Sequence, residues 1–191
     1  MANEFQQGPQ QNYQQPMGPQ PGFQPGFQPQ GTPQVTFQDA IQRGLAGLTV
    51  FQGRSRRSEF WWFMLAIGVA SFVLNLIFGA VGGTVGGILK VLVGVASIVV
   101  SAAALVRRLQ DTGKPAILAW ILYGLYAITL ILSLIASFKV NSDPFGALEI
   151  LGYAFIPSLL GGILGIVVLV FCCMDSHMGP NQYGPSEKYP V

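Results

Sequence analysis

From residue 59 onward, long apolar runs alternate with short polar segments. Four runs, at about 59–79, 86–106, 116–138 and 152–174, each approach the roughly 20 residues needed to cross about 30 Å of hydrocarbon. The pattern upstream is different. Phe37, Ile41, Leu45 and Leu48 recur at helical spacing, with Gln38, Gln42 and Arg43 off the stripe. Thr36 and Asp39 stand three residues apart, as in a capping box. The spacing predicts a short amphipathic helix over about 37–51, lying on the membrane surface or against the bundle and weakened by Gly44 and Gly47. Residues 1–35 are rich in Gln, Pro and Gly, repeat the tetrad Pro21-Gly22-Phe23-Gln24 at Pro25, and carry too few aliphatic side chains to bury a core, so they are expected to be a disordered tail. Phe5, Tyr13, Phe23 and Phe27 would be its contact points if it is an interaction arm. The fold class is therefore an all-α membrane protein. A four-transmembrane-helix bundle follows the amphipathic helix and the tail, with a membrane domain over 36–188 that ends in a polar motif at 175–188.

Composition supports lipid as the solvent. The 191 residues are 51% hydrophobic and only 9% charged, against about 25% charged in soluble domains. A net charge of +2, with no basic stripe interleaved with aromatics, argues against nucleic acid. The two cysteines, Cys172 and Cys173, are adjacent and form neither a disulfide framework nor a zinc spacing. They read as apolar residues at a helix end, with S-acylation as the sharper alternative. No early basic patch is followed by a short apolar core, so the first span is expected to act as an uncleaved targeting signal.

The charges orient the spans. Arg54, Arg56 and Arg57 precede the first, the loop from Gly79 to Val85 is uncharged, and Arg107, Arg108 and Lys114 follow the second. The third loop balances Lys139 against Asp143 and Glu149. By the positive-inside rule both termini are cytoplasmic, and three polar segments share one face. Trp61 and Trp62 begin the first span, where aromatic rings favour the interface. Gly79, Gly83 and Gly87, Gly82 and Gly86, and Gly161 and Gly165 repeat every four residues. Such stripes serve helix packing within the bundle or a contact between copies in a homo-oligomer. The first stripe partly occupies the expected loop, which favours flexibility there. Pro157 should kink the fourth span near its outer end.

The polar segments carry whatever chemistry there is. Glu59 sits at the positive end of a helix, and Arg57 and Glu59 are too close in sequence to pair along one helix face. Their charges are better met by other segments. Asp111-Thr112-Gly113-Lys114-Pro115 reads as turn chemistry: Asp111 to bond the following backbone or, alternatively, to pair with an arginine of the first segment, Gly113 for positive φ, Pro115 to open the next helix. Gly113-Lys114 lacks the upstream glycines of a phosphate loop. In the closing segment, two Gly-Pro pairs flank Asn181 and Tyr183. The segment is expected to fold back beneath the bundle: Tyr183 against the helix ends, Asn181 on open backbone groups, Asp175 on an arginine of the first or second segment.

These segments resemble the bacterial membrane-protein family called domain of unknown function 805. The opening signature is Gly53-Arg54 with Arg57-Ser58-Glu59-Phe60-Trp61-Trp62-Phe63. The central one is Arg107-Arg108-Leu109 with Asp111 and Gly113-Lys114, and the closing one Gly179-Pro180-Asn181 with Tyr183-Gly184-Pro185. Gln110 stands where such proteins often have His, and Asp175-Ser176-His177-Met178 replaces a more usual approach to the closing signature. The resemblance implies a bacterial inner-membrane protein and little chemistry.

Among function classes, an enzyme would need a nucleophile or acid–base pair, and the single histidine, His177, lies in the closing tail. The chain is expected not to be an enzyme and to need no cofactor or metal. A homo-oligomeric transporter or channel would need polar groups at membrane depth, where Asn75, Ser97, Ser101, Thr129 and Ser133 are the main ones. The favoured expectation is a non-enzymatic scaffold or regulator in the inner membrane. Its cytoplasmic face would bind anionic lipid headgroups or a protein partner through the three segments.

Overall fold

The structure, a computed structural model, describes residues 32–189. Among these residues the regular secondary structure is all helix, apart from a single bridge between Asn181 and Gly184. The order is α1 (Phe37–Ala46), α2 (Arg57–Val81), α3 (Gly83–Asp111), α4 (Ile117–Lys139) and α5 (Pro144–Cys173). The last four are long and apolar enough to cross a membrane. Of the expected disordered tail at 1–35, residues 1–31 lie outside the described residues. Its last positions are fixed: Thr32 donates its N–H to Lys188 O at 2.9 Å, and Val35 is buried with its N–H on Ser58 Oγ at 3.2 Å.

The spans begin or end beyond their expected limits, for local reasons. The expected loop from Gly79 to Val85 shrinks to a break at Gly82, because Gly82 (φ +67°) and Gly83 (φ +56°) reverse the chain in the left-handed region open to glycine. The first glycine stripe is therefore a packing surface rather than a flexible loop. A Cβ at Gly86 would meet the Phe78 carbonyl oxygen, and one at Gly87 would overlap Ser137 of α4. α5 starts eight residues early because Asp143 caps it, accepting from Gly146 N at 2.9 Å, with Pro144 at the first helical position. Glu149 is consequently helical, and Pro157 falls near the middle of an unbroken helix. α3 runs on to Asp111 and closes in a Schellman motif: Lys114 N bonds Leu109 O (2.8 Å) and Gly113 N bonds Gln110 O (3.1 Å), with Gly113 at φ +72°. Pro115 precedes α4 without entering it.

α1 ends at Ala46 rather than near residue 51, capped by Gly47, whose N–H bonds Arg43 O. Thr36 and Asp39 cap its start, Thr36 Oγ1 accepting from Asp39 N and donating to Asp39 Oδ2. Its small residues face the bundle: Ala40 and Gly44 are buried, the latter against Phe63, while Phe37 and Leu45 of the apolar stripe stay exposed. A helix so placed packs on α2 with its small face and offers its large side chains to the membrane.

α2 packs on α1 and α3, α3 on α4, and α4 on α5, whereas α2 and α5 scarcely touch. The bundle is thus an arc with an open seam. Its main core gathers at the polar end, where Phe60 and Phe63 of α2 meet Leu105, Val106 and Leu109 of α3, Leu122 and Tyr123 of α4, and Val168 and Cys172 of α5. Within the spans, Ser97, Ser101, Ser133 and Ser137 each donate to the carbonyl four residues earlier, which satisfies their hydroxyl protons within their own helix.

Gly86→Ala should lower the melting midpoint in detergent, by the equivalent of about 1–3 kcal/mol for overpacking. Gly124→Ala, where a Cβ meets nothing within 4 Å, should leave it unchanged or raise it. Equal behaviour of the two would contradict the tight α2–α3 turn.

Candidate functional site

Beneath the core, the three polar segments meet at one carboxylate. Asp111, at the last turn of α3, is 1% exposed. Its Oδ1 accepts from Arg54 Nε at 2.9 Å. Its Oδ2 accepts from Arg108 Nη1 at 2.5 Å and from Ser176 Oγ at 2.6 Å. Its own carbonyl takes the His177 N–H at 2.9 Å. The expected turn role of Asp111 is therefore displaced. The C-terminal motif of α3 is closed by backbone bonds alone, which frees the side chain for the arginines.

Each arginine then ties down a different piece of backbone. Arg108 donates Nε and Nη2 to Cys172 O (3.1 and 3.0 Å), Nη2 also to Met174 O, and Nη1 to Ser55 O (3.2 Å). Carbonyls at a helix C-terminus lack intrahelical donors and carry partial negative charge, so Arg108 caps α5 from outside. Arg54, 5% exposed, reaches the closing segment: Nη1 to Gly179 O (2.7 Å) and Gly184 O (3.4 Å), Nη2 to His177 O and Asp111 O. The closing loop fits this grip because Gly179 (φ +76°) and Gly184 (φ +124°) turn their carbonyls inward, and Asn181 and Gly184 exchange backbone bonds of 3.1 and 3.0 Å. Asn181 Nδ2 donates to Gln110 O at 2.9 Å, while its Oδ1 accepts the Tyr183 N–H at 2.8 Å. Tyr183 is half-buried.

A second, wetter group rims this lock. Asp175 receives Arg57 Nη2 at 3.4 Å and Lys188 Nζ at 2.6 Å. Glu59 is buried and faces Arg43 of α1 at 3.9 Å rather than Arg57. Trp62 meets Phe37 edge-on, and Trp61 meets Phe60. Two expected members stand apart from the lock. Lys114 lies over the Phe171 ring at 4.9 Å. Arg107 is half-buried with Nε and Nη2 lacking partners, its guanidinium filling the place a Cβ at Gly47 would take.

The sequence reading used Arg56 only for orientation, met Ser176 only as a departure from the family pattern, and passed over Lys188. Arg56 donates to Thr32 Oγ1, Thr32 O and Pro33 O. Only the alternation of charges around position 56 and the late lysine pointed to them. Burial would push the Asp175 carboxyl up, but the hydrogen bonds from Lys188 and the Ser176 N–H, together with Arg57, hold it below the usual carboxylate range. Burial likewise opposes the Lys188 ammonium, and Asp175 with Tyr189 outweighs it, raising its pKa. Among the described residues no three His, Cys, Asp or Glu side chains group closely enough to hold a metal ion.

Two measurements test the lock. Asp111→Asn leaves buried guanidinium unpaired and should destabilise the protein in detergent by about 3–5 kcal/mol. A change below 1 kcal/mol would make Asp111 a mere turn residue. The Asp175–Lys188 pair should stabilise only while both ends are charged. Its depressed carboxyl keeps the contribution above the unfolded pKa of about 3.9 and loses it as pH falls below that. Its raised ammonium keeps the contribution below about 10.4 and loses it as pH climbs further. The melting difference between wild type and Lys188→Gln should therefore be flat between these limits and vanish outside them.

Comparison with curated proteins and with solved structures returns no match. A family model described as "Protein of unknown function (DUF805)" matches residues 48–185, a stretch that begins just before Arg54 and ends with the closing loop it holds. That match covers most of the chain, all four membrane-spanning helices and every member of the lock, so the chain belongs to this family of proteins of unknown function.

Proposed function

We propose that the protein is a non-enzymatic scaffold or regulator of the bacterial inner membrane, with both termini and the locked face in the cytoplasm. One observation carries the reading: the ionisable groups of the three motifs, Arg107 and Lys114 excepted, are engaged with each other, with Arg43 or Lys188, or with backbone carbonyls. Asp111, Arg54 and Arg108 are buried and saturated, so they hold the bundle's end shut rather than act on a substrate. What remains accessible is the rim of Arg57, Lys188, Trp61 and Trp62, suited to anionic headgroups or to a partner protein. This orientation is supported by the clustering of Arg54, Arg56, Arg57, Arg107, Arg108 and Lys114 at that end, against Lys139 paired with Asp143 at the other.

A transporter or channel is the runner-up. It draws on a cavity of about 330 Å³ towards the other end of the bundle, lined by Asn75, Lys90, Ser133 and Ser137.

In a cysteine-free background, Gln52→Cys and Gln182→Cys should be labelled from the cytoplasmic side and Ser142→Cys from the opposite side. Purified protein in liposomes should pass no ion or solute selectively. Flux that is abolished by Asn75→Ala would replace the scaffold reading with transport.

A further inference from the structure

The seam between α2 and α5 is a cavity of about 620 Å³, within the range of about 300–1,000 Å³ typical of small-molecule sites. Glycines open it: Gly68 on α2 and Gly162 on α5 both line it, and a Cβ at either would meet nothing within 4 Å. Apart from the Tyr126 hydroxyl, the hydroxyls in its wall are already paired. Ser71 bonds Ser97 at 2.7 Å, Ser101 bonds Tyr123 at 2.8 Å, and Thr129 bonds Leu125 O at 3.1 Å. The surface left to an occupant is therefore hydrocarbon but for that one hydroxyl, which suits an alkyl chain better than a polar solute.

The seam ends beside a positively charged recess, and Trp61 lines both. Arg56, Arg57 and Lys188 border this recess. Among the described residues Asp175, which pairs with Arg57 and Lys188, is the one carboxylate in salt-bridge contact with the three, so positive charge is in excess among them. Two further features call for an acceptor. The N-terminus of α2 has no side-chain cap, and such termini attract anions. Arg56 is 7% exposed, yet its buried Nε has no hydrogen-bond partner.

From this adjacency we propose that the protein holds one anionic phospholipid, an acyl chain in the α2–α5 seam and the phosphate against Arg56, Arg57 and Lys188. The proposal rests on the headgroup-binding part of the scaffold reading and names its ligand. The two fail separately, since flux decides the scaffold reading and lipid retention decides this one.

The test is native mass spectrometry of the full chain released from nanodiscs of equimolar phosphatidylglycerol and phosphatidylcholine. Wild type should retain one phosphatidylglycerol in preference to phosphatidylcholine. Each cation removed, in Arg57→Gln or Lys188→Gln, should lower that ratio about fivefold. Both residues also hold Asp175, so Gln34→Glu provides a cleaner arm: exposed Gln34 lines the recess, and a new negative charge there should lower the ratio without shifting the melting midpoint. Gly162→Leu fills the seam and should abolish retention of either lipid. Equal retention of the two lipids by wild type, an unchanged ratio in Gln34→Glu, or undiminished retention in Gly162→Leu would each overturn the proposal. So would a dimer that Gly162→Leu converts to monomer, since a second copy would then occupy the seam.

Discussion

Two guanidinium groups converge on the Asp111 carboxylate beneath the bundle, and the closure of its polar end depends on them. Burying three ions costs several kcal/mol each before any contact forms. One carboxylate cannot neutralise two cations, and the remainder is met by dipoles. Arg108 sits in the last turn of α3 and binds the final carbonyls of α5, so two helix C-termini, each worth about half a negative charge, face it. Arg54 takes the inward carbonyls of the closing loop. The loop, both helix ends and the entry to α2 thus share one set of hydrogen bonds.

The lock also explains the shape above it. The main cluster of buried apolar side chains lies next to it, where the lock ties the helix ends together. Farther along, α2 and α5 are first and last in the arc and have no neighbour to join them. Arg57 bridges them only at the polar end, through the Cys173 carbonyl and Asp175. A seam closed at one end and open to hydrocarbon along its length is the geometric result. Lipid can fill it without cost because lipid is already the solvent there.

The separation between lock and rim recasts the family motifs. Arginine, aspartate and asparagine in three separated motifs suggest a reactive or ligand-binding surface when read along the chain. In the folded protein most of them bind backbone carbonyls, and the glycines between them supply the positive φ angles that aim those carbonyls. Arg57, Asp175 and Lys188, at the rim of the lock, stay accessible to other molecules.

The apolar runs by themselves determined the class of protein, the four spans and the amphipathic helix before them, since hydrocarbon thickness and helical period act locally. Capping chemistry was equally local: Thr36 with Asp39, and Gly113 in its positive-φ turn, are readable from adjacent residues. What escaped local reading had partners far along the chain. The sequence alone left Asp111 between a turn role and an ion pair. The choice required α5 to end where Ser176 and the Cys172 carbonyl reach the same arginine and carboxylate. Likewise, helix ends moved at Gly82 and Asp143 because reversal and capping compete with hydropathy there. The fate of Arg107, Arg108 and Lys114, neighbours in sequence, was decided by tertiary structure alone. Successive helical positions point about 100° apart, so of two adjacent arginines only Arg108 faced the buried carboxylate.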